Sequence, residues 1–230
     1  MACRAEGGVN MEPTTYVSLE ELYGLYLADE TEPPAWLSRM LGKPALTAQP
    51  QEFVDRMVAR SGIPSLFAAA EPSYEMLDTL SSGGGIYICG VQGAGKTWLA
   101  CRLAKGWIYR GMGDARFVSS VKLLSEIGST YGGNGSEEQV LAKYSLCDLL
   151  VVDDLGKEVP SQWSLSKLFA LFDSRYANNR PTIVTTQFDL GSLARRMARS
   201  GDQETAMAIV SRFKEKYRSV NLGNVDRRAV

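Results

Sequence analysis

Histidine is absent from the 230 residues. That absence removes a Ser-His-Asp triad, a Cys-His nucleophile, an imidazole general base and every histidine-containing metal site. Cysteine is sparse: Cys3, Cys89, Cys101 and Cys147 stand apart with no C-x-x-C pair, which excludes a zinc ribbon and a disulfide framework and points to buried reduced thiols. No run approaches the ~20 uninterrupted apolar residues of a membrane span, and MACRAEGGVNMEP at the start lacks the apolar region of a secretory signal. A cytoplasmic protein without membrane contact is the expectation. An excess of either charge is also missing, with 25 Lys+Arg against 26 Asp+Glu, which argues against a general nucleic-acid coat protein. Chemistry must then rest on carboxylates, lysine, arginine and hydroxyls.

The composition itself, 45% hydrophobic and 22% charged, supports one sizeable core plus a small appendage. Charge is uneven along the chain: residues 1–40 carry seven acids against two bases, and residues 192–230 carry nine bases against four acids. Residues 1–60 read as a helical module with proline-containing linkers. Ser18 and Glu21 make a capping box ahead of an apolar stripe of Leu19, Leu22, Tyr23, Tyr26 and Leu27, and Pro33, Pro34, Pro44 and Pro50 then interrupt. A second helix is expected around Trp36–Leu41 and a third around Phe53, Val54, Met57 and Val58, ending at Ser61-Gly62.

Residues 61–230 change character. Apolar runs at 86–89, 115–119, 148–152 and 182–186, with 220–222 as a possible fifth, alternate with helical patterns near 97–110, 120–128 and 161–178. This predicts an α/β fold with a parallel sheet covered by helices on both faces. Gly132-Gly133-Asn134-Gly135 is the one low-complexity patch, expected to be a mobile loop.

Between the first strand and its helix stands Gly90-Val91-Gln92-Gly93-Ala94-Gly95-Lys96-Thr97, a match to G-x-x-x-x-G-K-[ST] in its required strand-to-helix setting. Glycines let successive N–H groups and the helix N-terminus face phosphates, Lys96 reaches the β/γ oxygens of ATP, and the Thr97 hydroxyl ligates Mg²⁺. The cofactor-binding stretch is taken as Gly90 to Trp98, although Trp98, Trp107 and Trp163 fall at helix spacings that read as packing. Asp148-Leu-Leu-Val-Val-Asp153-Asp154 is a buried-type strand ending in two carboxylates. Here Asp153 is the expected metal residue beside Thr97, and Asp154 the group that orients or deprotonates the attacking water.

The set G-V-Q-G-A-G-K-T, L-L-V-V-D-D-L-G, P-T-I-V-T-T-Q, A-I-V-S-R-F and G-N-V-D-R-R resembles the AAA+ ATPases of the DnaC type, the replicative helicase loaders, and their relative IstB, over about Ser61 to Arg228. The resemblance implies a P-loop AAA+ ATPase that self-assembles on ATP and DNA and delivers a hexameric replicative helicase, with single-stranded DNA bound after the second strand near Lys122 and Tyr131. It implies that Gln187 serves as sensor 1, Arg212 as an arginine finger acting on a neighbour's ATP, and Arg228 as sensor 2, with Arg227 beside it. Asp154 stands where such enzymes more often have Glu, so hydrolysis is expected to be slow. Two alternatives remain: an IstB-like transposition helper that polymerises on DNA, and a P-loop small-molecule kinase, which leaves the S-R-F and D-R-R elements unexplained.

Overall fold

The computed structural model describes residues 51–133, 135–223 and 225–226, with the side chains of residues 51 and 52 left aside. The expected Ser18–Glu21 cap, the Leu19-to-Leu27 stripe, the helix at Trp36–Leu41, the prolines Pro33, Pro34, Pro44 and Pro50, Cys3, Asn134, Arg227 and Arg228 lie outside the described residues.

Strands β1 (Gly85–Cys89), β2 (Ala115–Ser119), β3 (Leu149–Asp153), β4 (Thr182–Thr186) and β5 (Tyr217–Asn221) form a wholly parallel sheet in the order β2-β3-β4-β1-β5. Parallel strands covered on both faces must be apolar nearly throughout. LLVVD meets that demand, TIVTT adds three threonines to its apolar pair, and both strands are buried along their whole length. Alternation splits them into two cores. Ile86, Ile88, Val151 and Ile183 face α1 (Gln51–Ser61), α2 (Leu77–Ser81) and α3 (Lys96–Tyr109), burying Val54, Leu77, Leu80, Leu103 and Trp107. Tyr87, Val152 and Val184 face the other way, onto Leu123, Leu168, Leu193 and Phe213. Those residues come from α4 (Ser120–Ser129), α6 (Gln162–Ala177), α7 (Leu190–Met197) and α8 (Gln203–Lys216). Helix α5 (Glu137–Ser145) adds the buried Tyr144 to the same core.

All five expected strands exist, three with shifted bounds, and β1 begins one residue early at Gly85. β3 begins at Leu149 rather than Asp148, because Asp148 closes a loop: its carboxylate accepts Asp114 N–H at 3.0 Å, and its own N–H donates to Asp114 Oδ1 at 2.8 Å. β5 runs over Tyr217–Asn221 rather than 220–222, an edge strand whose YRSVN is half-exposed and gives no apolar run. The three tryptophans divide. Trp107 is core, 5% exposed, as expected, but Trp98 at 43% and Trp163 at 37% are not packing residues. Trp98 lies on the outer face of α3 under the Arg102 guanidinium, 4.5 Å from the ring centroid, and Trp163 meets Tyr131 edge-on at 6.2 Å. Helix α1 crosses the expected boundary at residue 60, its Val54 is 3% exposed within the sheet's core, and the compact unit that holds the sheet runs from Ala48.

One buried cation ties the back of the sheet together. Arg175 on α6 is fully buried and donates to the carbonyls of Tyr144 (2.8 Å), Cys147 (2.9 Å) and Pro181 (2.6 Å) and to Thr182 Oγ1 (2.8 Å). A planar five-donor guanidinium suits that task, gathering the end of α5, the entry to β3 and the start of β4 around one group.

Candidate nucleotide site

In an open parallel sheet, ligands bind outside the carboxyl ends of the strands, where neighbouring connections diverge. β1, β3 and β4 all deliver their C-terminal residues there, and each carries one of the expected groups. β1 leads into the glycine loop. Gly93 (φ +80°) and Gly95 (φ +92°) hold left-handed conformations that side-chain-bearing residues resist, and Gly95 caps α3 so that the helix's first N–H groups open toward the loop. Lys96, only 7% exposed, folds its ammonium onto the loop, donating to Gly90 O at 2.9 Å and Val91 O at 2.8 Å. The ammonium is thereby held at the rim that phosphates would enter.

The loop and the end of β3 meet directly. Thr97 Oγ1 donates to Asp153 Oδ1 at 3.0 Å and lies 3.3 Å from Oδ2, joining residues 56 apart in sequence. Thr185 Oγ1 of β4 donates to the same Oδ1 at 2.5 Å. Burial pushes the Asp153 pKa up, the Thr185 bond opposes it, and the Asp154 charge next door adds to the rise. A buried carboxylate against a hydroxyl is a hard-oxygen donor pair suited to a small divalent cation. Among the described residues no group of three or more Asp, Glu or Cys is placed to hold a metal. Mg²⁺ ordinarily takes one or two protein ligands and completes its shell with phosphate oxygens and water. Thr97 and Asp153 are the residues that would hold Mg²⁺, which would supply charge neutralisation at the phosphates.

Asp154 departs from ordinary backbone geometry. Its φ is +58°, one of three non-glycine residues with positive φ among those described, and such strain gathers at functional sites. Its N–H donates to Thr185 Oγ1 at 2.9 Å and its carboxylate pairs with Lys157 Nζ at 2.7 Å. Gln187 follows β4 directly and is exposed. Its neighbours are anchored: Thr186 donates to Leu155 O at 2.6 Å, and the Tyr87 hydroxyl on β1 donates to Phe188 O at 2.8 Å. The chain beyond β5 borders the loop as well. Val91 N–H donates to Gly223 O at 3.3 Å, and a Cβ on Gly93 would overlap the Asp226 carboxylate. Asp226 stands two residues before Arg228, which itself lies outside the described residues.

Arg212 is not brought to this loop. On α8 it pairs with Asp173, donates to Ala208 O at 2.9 Å, and lies over the rings of Phe169 (4.9 Å) and Tyr176 (5.4 Å), while its Nε is buried with no hydrogen-bond partner. The expected DNA residues are both exposed, Lys122 on α4 and Tyr131 just after it, where the Tyr131 hydroxyl donates to Glu137 and accepts from Trp163 Nε1 at 3.0 Å. Nothing lies within 4 Å of where side chains on Gly132, Gly133 and Gly135 would stand. Sequence reasoning missed Thr185. The available signal was the three threonines of a strand buried along its whole length.

A family model described as IstB-like ATP binding protein matches residues 74–229. The replicative helicase loader DnaC of Escherichia coli K12 is 28% identical over 107 residues, 46% of this chain and 43% of that protein. The insertion sequence IS1162 putative ATP-binding protein of Pseudomonas fluorescens is 30% identical over 118 residues, 49% of this chain and 50% of that one. The chain thus spans half or less of the length of these two relatives. A crystal structure of the DnaC helicase loader superposes with a TM-score of 0.54 at 21% identity, covering 69% of this chain and 99% of that one. The replication initiator DnaA bound to AMPPCP and single-stranded DNA superposes with a TM-score of 0.53 at 22% identity, over 64% of this chain and 43% of that one. At such identities the likeness shows the fold, a P-loop domain of AAA+ type.

Proposed function

The chain belongs to the family of IstB-like ATP-binding proteins, and from that premise we propose that it is a slow, Mg²⁺-dependent AAA+ ATPase that delivers a hexameric replicative helicase onto DNA. The observation that supports the ATPase reading is the contact of Thr97 with Asp153 beside the buried Lys96, which brings together residues 56 apart of the kind an ATP·Mg²⁺ site uses. In this reading Asp154 orients the attacking water and Gln187, at the end of the strand between β1 and β3, reads the γ-phosphate. Arg212 leaves Asp173 to meet a neighbouring subunit's phosphate, and Arg228 acts from the segment that borders the loop. ATP then acts as an assembly switch, because one subunit's finger completes another's site. Lys122, Tyr131 and the glycine patch supply charge and a stacking ring to single-stranded DNA. The helicase part of the proposal is supported by the likeness to DnaC loaders in sequence and fold.

The test is gel filtration of the protein with a replicative helicase, with and without ATP·Mg²⁺. ATP-dependent co-elution, lost in Lys96→Ala, is the expected result. A second reading is favoured by the likeness to the IS1162 protein: a transposition helper that polymerises on DNA and recruits a transposase. ATP-dependent assembly on duplex DNA without helicase binding would select it, and absence of any ATP-dependent assembly would count against both.

A further inference from the structure

We propose that Thr185 is a positioning residue of the nucleotide site, setting through one hydroxyl both the direction of the Asp153 carboxylate and the backbone of Asp154. The inference rests on the ATP·Mg²⁺ reading of that site. It begins with a single proton. A threonine hydroxyl has one hydrogen to donate and lone pairs to accept with. The Asp154 N–H occupies a lone pair of Thr185 Oγ1 at 2.9 Å, and the hydroxyl's own proton goes to Asp153 Oδ1 at 2.5 Å. Thr185 is fully buried, so no water competes for either bond. The hydroxyl rotor is therefore fixed.

Its location explains why a side chain is needed. The β3–β4 ladder pairs Leu150 with Thr182, Val151 with Ile183 and Val152 with Val184, and stops there. One step further, the Asp154 amide finds the Thr185 hydroxyl, and Leu155 N–H returns to the Thr185 carbonyl at 2.9 Å. The hydroxyl spans the place where Asp154 turns to φ +58° and leaves the sheet. Thr97 and Thr185 thus both direct their protons at Oδ1, leaving Oδ2, 3.3 Å from Thr97, the less committed oxygen of Asp153. Removing the Thr185 hydroxyl lets the carboxylate rotate and frees the amide that holds Asp154.

The experiment titrates labelled ATP against the full chain in EDTA and in MgCl₂, for wild type, Thr185→Val and Thr185→Ser, with turnover measured on the same samples. Valine keeps the shape and the backbone bond to Leu155, so the strand pairing stays. Thr185→Val is expected to bind ATP in EDTA within about twofold of wild type, to lose most of the gain in affinity that Mg²⁺ confers, roughly tenfold or more, and to lose kcat. Thr185→Ser, which restores the hydroxyl, is expected to recover both within about twofold. Wild-type Mg²⁺ dependence in Thr185→Val overturns the proposal. So does equal loss of binding in EDTA and Mg²⁺ that serine fails to repair, because that marks a merely structural role. If Thr185→Val does not fold, Thr185→Cys, similar in volume with only a weak donor, takes its place on the same criteria. A wild-type protein that binds ATP in neither buffer overturns the site reading itself, a result distinct from any difference among the variants.

Discussion

Single groups in the proposed nucleotide site have separable proposed tasks, and their surroundings say which substitution isolates each. Lys96 is the only charged side chain of the P-loop, so Lys96→Ala should weaken ATP binding at least tenfold, about 1.4 kcal/mol, in a direct titration. Asp154 separates binding from chemistry. Asparagine tolerates the left-handed backbone as well as aspartate does, and the lost Lys157 pair is partly exposed and worth little. Asp154→Asn should therefore keep its melting temperature and its ATP affinity while turnover falls. Wild-type turnover would move the water-positioning role to another residue. Behind the loop, burial and the Asp153 charge push the Cys101 thiol up to about 12. The native state then holds this proton while the unfolded chain, with an ordinary thiol near 9, releases it. The stability tied to Cys101 is fully present below pH 9 and drains away as pH rises toward 12, by up to about 1.4 kcal/mol per pH unit. Denaturant melts across that window should show the loss in wild type and a shallower one in Cys101→Ala.

At the level of elements, helices α6 and α8 hold the residue with the sharpest conflict between a structural and a catalytic role. Arg212 spans them through Asp173, Phe169 and Tyr176, so it is already engaged when no neighbour is present. If it acts in trans, Arg212→Ala should bind ATP normally and hydrolyse it poorly, and mixing with Lys96→Ala should restore part of the activity, because each variant supplies what the other lacks. Mixed assemblies that form and stay inactive would refute the in-trans role. Arg175 is the contrasting case. Its loss strands several buried carbonyls, each costing about 1–3 kcal/mol, so Arg175→Met should sharply lower the melting temperature. The sequence announced some of these elements and concealed others for physical reasons. The glycine loop, β3 and β4 were legible because phosphate binding and burial on two faces each demand a narrow set of residues. Helices α5, α7 and α8 were not singled out, because their short stripes alternate with many charges. Arg175 passed unnoticed since an arginine on an amphipathic helix ordinarily faces water. Thr185 was hidden because a strand hydroxyl acquires a purpose only when Asp153 and Asp154 stand opposite it.

For the molecule as a whole, the place where the compact unit that holds the sheet begins decides what a truncation means. Helix α1 contributes Val54 to the core around Ile86, with Met57 and Val58 packed against it. A chain starting at Ala48 should fold and bind ATP, whereas one starting at Ser61 should melt earlier, by roughly 2–5 kcal/mol of lost burial. If residues 1–47 select the helicase, the Ala48 chain should also lose helicase binding while keeping ATP, and retention at full affinity would exclude that handle. The order of the strands has a further consequence, one of timing. Among the described strands β1 is made first, but its sheet neighbours there are β4 and β5. At roughly 5–20 residues per second, the ribosome needs about 5 to 20 s to travel from Cys89 to Thr182, and longer to reach Asn221. Throughout that interval the glycine loop hangs from an unpaired strand, and Asp153 has no β4 hydroxyl to hold it. A nascent chain arrested before β4 should not be retained on immobilised ATP, and one released after β5 should be. The first motif to be translated is among the last to become a site.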